Sequence, residues 1–103
     1  MVLLEFSVSP LGVGESVSPY VARCLELVEA SGLDYRLHAM GTIVEGELPA
    51  VLDLMQRCIE AVAVDCERVT CSAKIDYRRG HRGRLDAKVR SVEKLLGKSL
   101  RKD

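Results

Sequence analysis

Residues 2 to 9 alternate, with Val2, Leu4, Phe6 and Val8 on one side and Leu3, Glu5, Ser7 and Ser9 on the other. That period of two predicts a strand with one apolar and one mostly polar face. PLGVGES (10–16) is rich in turn formers and reads as a loop. Ser18 followed by Pro19 predicts a helix start, with the serine hydroxyl as its cap and proline at the first helical position. Val21, Cys24, Leu25 and Val28 then recur at helical spacing, and Gly32 is a natural stop. A second strand is expected over 34–40, where Tyr35, Leu37 and Ala39 alternate with Arg36 and His38. Gly41 makes the turn into a third strand, from Thr42 to about Glu47. Pro49 opens a second helix whose Val51, Leu52, Met55, Cys58, Ile59 and Val62 form a core stripe. In a fourth strand, over roughly 67–77, Val69, Cys71, Ala73, Ile75 and Tyr77 alternate with Thr70, Ser72, Lys74 and Asp76. A basic loop leads to a last helix with Leu85, Val89, Val92 and Leu96 on one face.

The order βαββαβ plus a C-terminal helix, with short connections and no repeat, predicts an α+β domain of ferredoxin-like plan spanning residues 1–103. Two helices cover one face of its antiparallel sheet and leave the other open. Ile43 and Val44 put branched apolar side chains on both sides of strand three, and Leu3 sits in the polar set of strand one. Such a pattern belongs to strands buried on both faces, so another subunit is expected over the open face.

Composition narrows the function classes. The chain has 103 residues, enough for one hydrophobic core, and at 48% hydrophobic and 29% charged it reads as globular. Lysine plus arginine balance aspartate plus glutamate at 15 each, so nothing draws the whole molecule to nucleic acid or to an anionic membrane. The N-terminal MVLLEFSV lacks a basic lead and no stretch has transmembrane length, so the expectation is a cytoplasmic protein. Of the four cysteines, Cys24 and Cys58 fall on apolar helical stripes; none of the four forms a C-x-x-C pair. No metal and no cofactor is expected.

Strand direction brings scattered polar residues together. In this topology strands one and two run one way and strands three and four run back. Ser9, Ser16, Ser18, His38, Met40 and Thr42 therefore share one edge around two glycine-bearing loops. Amides at the start of helix one can hold an anion or carbonyl. The serine hydroxyls, Thr42 and a neutral His38 both donate and accept, and Met40 offers an adaptable apolar wall. From the polar face of strand one, Glu5 can accept from an amino group or meet a cation. This chemistry suits a small polar ligand.

Other readings are open at this point. Glu45 and Glu47 share one side of strand three and can form an acid–base pair, but no P-loop, H-E-x-x-H or nucleophile elbow is present, so an enzyme is not expected. YRRGHRGR (77–84) places Arg78, Arg79, Arg82 and Arg84 around His81 at the opposite end. A structural or regulatory oligomer that binds a protein partner through this loop is the alternative function. RNA binding by the same strand order needs aromatics on the sheet face, and Phe6 and Tyr35 have the helix-facing parity.

The segments EFSVSPLG (5–12), SVSPYV (16–21), HAMGTIVEGE (38–47), KIDYRR (74–79) and KVRSVEKLL (88–96) resemble the thiamine-binding protein family, also called MTH1187/YkoF-like or UPF0045. The resemblance covers nearly the whole chain; Gly80 to Leu85 is its variable stretch. It implies a ferredoxin-like domain that assembles through its sheets into dimers and commonly tetramers. It also implies non-catalytic binding of thiamine or its hydroxymethylpyrimidine part, in thiamine metabolism or transport. On that reading hydroxyls, a carboxylate and backbone groups can pair with the aminopyrimidine, and Glu5 or a sheet-face partner can balance the thiazolium charge. The candidate ligand-binding residues are Glu5, Ser7, Ser9, Ser18, His38, Met40 and Thr42.

Overall fold

In the computed structural model, which describes residues 1–102, the alternating segments become strands and the stripes become helices. The order is β1 (Val2–Leu11), α1 (Ser18–Ala30), β2 (Asp34–His38), β3 (Gly41–Gly46), α2 (Leu48–Ala63), β4 (Arg68–Tyr77) and α3 (Arg84–Leu96). The sheet order is β2-β3-β1-β4 with every neighbouring pair antiparallel. This is the ferredoxin-like arrangement with an added C-terminal helix.

Parity decides the core. Val2, Leu4, Phe6 and Val8 of β1 and Val44 of β3 pack against Cys24 and Val28 of α1 and against Val51, Leu54, Cys58 and Val62 of α2. Leu4, Val28, Val44, Val51, Cys58 and Val62 are fully buried, and each such aliphatic side chain stabilises the fold by about 2 kcal/mol. Arg23 of α1 ties the two helices together, donating to both carboxylate oxygens of Asp65 at 2.7 and 2.8 Å and lying 4.9 Å from the centre of the Tyr20 ring. Its guanidinium holds the Asp65 carboxyl below the usual carboxylate range. Both side chains are well exposed, so the pair orients the helices more than it stabilises them.

Two expectations are corrected. Ser18 does not cap α1: Val17 is the N-cap residue, its carbonyl accepting from the Tyr20 and Val21 amides at 3.0 and 3.1 Å, with no side-chain cap bond. Ser18 is already the first helical residue, exposed and without a cap bond to the amides ahead of it. The second correction concerns the face opposite α1 and α2. Leu3 lies between Glu45 and Asp76 on that face, which also carries Ile43 and Arg36, and α3 packs across part of it. The Glu45 carboxylate accepts the Arg84 amide at 2.9 Å, the Arg84 guanidinium and the Lys88 ammonium both meet Asp76, and Arg36 meets Asp86 at 3.1 Å. Gly83, at φ +66°, makes the left-handed turn that starts this helix. Leu3 is therefore buried within a single chain, only 4% exposed. The chain's own last helix, not a second copy, accounts for its apolar character.

Further along α3 the stripe loses its cover. Leu85 is buried, whereas Val92, Leu95 and Leu96 are exposed. None of the described helices is long and apolar enough to cross a membrane.

Candidate functional site

The site arises from a mismatch in strand length. β1 pairs with β4 as far as Leu11↔Arg68, but with β3 only as far as Phe6↔Thr42. The β2–β3 hairpin turns at Ala39–Met40, so β3 begins too late to cover the end of β1. Gly41 permits the tight approach there, since a Cβ on it would stand 2.9 Å from the Phe6 carbonyl oxygen. Above the notch lies the start of α1. Between them is a cavity of about 340 Å³, within the size range of small-molecule sites. Phe6 to Ser9 border it from β1, Val17, Val21, Cys24 and Leu25 from the α1 side, and Leu37 to Thr42 from the hairpin.

Of the candidates, Ser7, Ser9, His38, Met40 and Thr42 meet at this cavity. Thr42 is buried beside Phe6, whereas Met40 stands out at the hairpin tip, 85% exposed. His38 joins two segments: its Nε2 lies 3.3 Å from a Glu5 carboxylate oxygen and its Nδ1 accepts the Met40 amide at 3.3 Å. A neutral imidazole protonated on Nε2 satisfies both contacts. Glu5 itself lies outside the cavity. It borders a shallower depression of about 330 Å³ on the other sheet face, with Ser7, His38, Met40, Ser72 and Lys74, and the two hollows meet at Phe6, Ser7, His38 and Met40. Ser18 borders neither hollow.

The apolar walls were not legible as site residues. Val21 and Leu25 sit on the same stripe as Cys24 and Val28, and Leu37 alternates like any buried strand residue. What separates them is that the stripe extends past the sheet it should cover: Leu37 is 57% exposed. Cys24 also borders the cavity, while Cys58 lies behind it. Each thiol approaches the other residue's carbonyl oxygen at 3.7 Å, and hydrogen bonding with Cys24 together with burial pushes the Cys58 thiol far above its ordinary pKa. Such thiols serve as packing.

Elsewhere the polar residues are already engaged or dispersed. Glu45 is buried and committed to α3, while Glu47 is exposed as the N-cap residue of α2, so the two carboxylates do not form one site. Arg78, Arg79 and Arg82 are exposed, but Arg84 belongs to the interior of the α3 contact. Among the described residues no group of histidine, cysteine or carboxylate side chains has the geometry to hold a metal.

With this geometry in place, the kinship of the chain can be stated. The family model described as "Thiamine-binding protein" matches residues 4–93. The chain belongs to the thiamine-binding protein family. Its relatives include the UPF0045 protein Mb1933 of Mycobacterium bovis, 43% identical over 96 residues, covering 92% of this chain and 94% of the relative. The crystal structure of MJ1052 from Methanocaldococcus jannaschii superimposes with a TM-score of 0.83 at 35% identity, covering 88% of this chain and 94% of that one. TM0486 of Thermotoga maritima, described as a candidate thiamine biosynthesis/salvage protein, has the same fold, with a TM-score of 0.77 at 22% identity, covering 88% and 97%. The fold is thus shared with MJ1052, at 35% identity.

Proposed function

We propose that this chain is a non-catalytic, cytoplasmic binding protein for thiamine or its hydroxymethylpyrimidine part, acting in thiamine metabolism or transport. The carrying observation is the cavity between α1, the end of β1 and the β2–β3 hairpin, in a chain whose family is named for binding thiamine. Its walls are mainly apolar, from Val17, Val21, Leu25, Leu37 and Met40, with Thr42 on the same sheet face and the strand at Ser7 and Ser9 along its border. Such a lining takes up a flat heterocycle and fixes its orientation with a few polar contacts. Glu5, just outside and held by His38, balances the positive thiazolium. The description of TM0486 as a thiamine biosynthesis/salvage protein supports the same reading.

The protein acts as a homo-oligomer, a dimer or tetramer assembled through what α3 leaves uncovered of the sheet face, together with the exposed Val92, Leu95 and Leu96. Isothermal titration with thiamine, thiamine phosphates and hydroxymethylpyrimidine tests the binding role. Saturable binding to one of them is expected; flat titrations from a folded protein would overturn it.

A further inference from the structure

The two edges of β1 are unequal. Toward β4 it is paired from Val2↔Tyr77 to Leu11↔Arg68, and toward β3 only from Val2↔Gly46 to Phe6↔Thr42. In an antiparallel sheet successive residues turn their N–H and C=O groups alternately to one neighbour and the other. Three observations fix the direction for each residue of β1. The Phe6 carbonyl faces β3, where a Cβ on Gly41 would crowd it at 2.9 Å. The Ser9 carbonyl faces β4, where the Thr70 hydroxyl donates to it across 3.4 Å. Pro10 has no N–H and so sits in a paired strand with its nitrogen turned away from the partner, here away from β4. Even-numbered residues of β1 therefore face the β3 side.

Val8 is the consequence. It directs its N–H and C=O to a place where β3 has already turned away. Continuing the register would bring Met40 opposite, but the Met40 amide is donated to His38 Nδ1, and among the described residues no backbone bond joins Met40 to Val8. Val8 is only 7% exposed and borders the cavity. A donor and an acceptor thus stand side by side at the cavity, unused by the sheet and left for a ligand to use.

We propose that the Val8 N–H and C=O are the pair that reads the ligand, by bonding the edge of an aminopyrimidine. The ring nitrogen accepts from the Val8 N–H, and the neighbouring exocyclic amino group donates to the Val8 C=O. Phe6 is engaged with β3 and Pro10 lacks a donor, so Val8 alone offers both groups along this edge. Val21, Leu25 and Leu37 supply the apolar surroundings that keep water from competing. The inference deepens the thiamine reading and rests on it.

The test uses the intact native chain labelled with ¹⁵N, titrated with thiamine and with its 4-oxo analogue. In that analogue the ring nitrogen becomes a donor and the exocyclic group an acceptor. Thiamine is expected to shift the Val8 amide resonance and slow its hydrogen exchange at least about tenfold, and the 4-oxo analogue to bind at least about tenfold more weakly. The Ser7 and Ser9 amides, already paired with β4, should show slow exchange without any ligand. If thiamine binds but leaves the Val8 amide unmoved, or if the 4-oxo analogue binds equally well, the Val8 assignment fails and the thiamine reading stands. If neither compound binds, the thiamine reading fails and the assignment falls with it.

Discussion

Thr42 and Met40 border the same cavity under opposite conditions. Thr42 is 5% exposed beside Phe6, and Met40 stands 85% exposed at the hairpin tip. A hydrogen bond formed by a buried hydroxyl contributes about 1 kcal/mol, so Thr42→Ala should weaken thiamine binding about fivefold. Met40→Ala removes a flexible wall that is 85% exposed in the free chain, and should weaken binding without lowering the melting temperature. Titration calorimetry beside thermal denaturation checks both. Normal binding by both variants would mean that this cavity is not where the ligand sits. At this scale the place of Thr42, His38 and Met40 at the cavity border was legible because polar and adaptable residues around a glycine turn stand out in a sequence. Val8 was not, because what it brings to the cavity border is backbone beyond the end of the β1–β3 pairing, which no side-chain pattern reports.

Two contacts matter at the scale of elements, one beside the site and one on the opposite sheet face. One is the close pass of β3 beside β1 at Gly41. Gly41→Ala would push a methyl group against the Phe6 carbonyl, an overpacking cost of about 1–3 kcal/mol, and should lower the urea midpoint while reshaping the mouth of the notch. An unchanged midpoint would show that the hairpin yields there freely. The other is the seating of α3. Lys88 first, then Arg84, hold the Asp76 carboxyl below its ordinary pKa. A carboxyl depressed in the folded state adds stability above its unfolded pKa, about 3.9, and loses it as the pH falls through the folded value. Protonation of Asp76 leaves the buried Arg84 without its anion, so the hold on α3 should start to weaken below about pH 4 and be lost as the pH falls through the depressed folded value. Amide exchange along residues 84–96, measured from neutral to acid pH, should accelerate in that window, and Asp76→Asn should show the fast exchange already at neutral pH. Uniform exchange across the range would discount the contact.

For the whole molecule, the question is what meets the apolar surface left on α3. Val92, Leu95 and Leu96 form an exposed set on a helix whose first turn alone is buried against the sheet. Light scattering should return a mass that is a multiple of the 11.3 kDa chain. Leu96→Glu, which places a charge in that set, should shift the population toward the single chain. A monomeric native protein would leave these residues as ordinary exposed apolar surface and would sink the proposed assembly.

The order of elements followed from the sequence alone, because side-chain period is a local property. Val2, Leu4, Phe6 and Val8 could not alternate with Leu3, Glu5, Ser7 and Ser9 in a helix. The convergence of His38 and Thr42 with the end of β1 followed as well, since strand direction is fixed once the order βαββαβ is known. Tertiary structure decided the rest. Leu3 was read as an intersubunit residue because its apolar character was visible and its cover was not; that α3 returns to this face depends on Arg84 reaching Glu45 and Asp76 across three strands. The helix start fell to Val17 because backbone carbonyls, which have no sequence signature, set the first turn. The notch exists because β1 outruns β3, and a difference in strand length becomes a cavity only when the strands are paired.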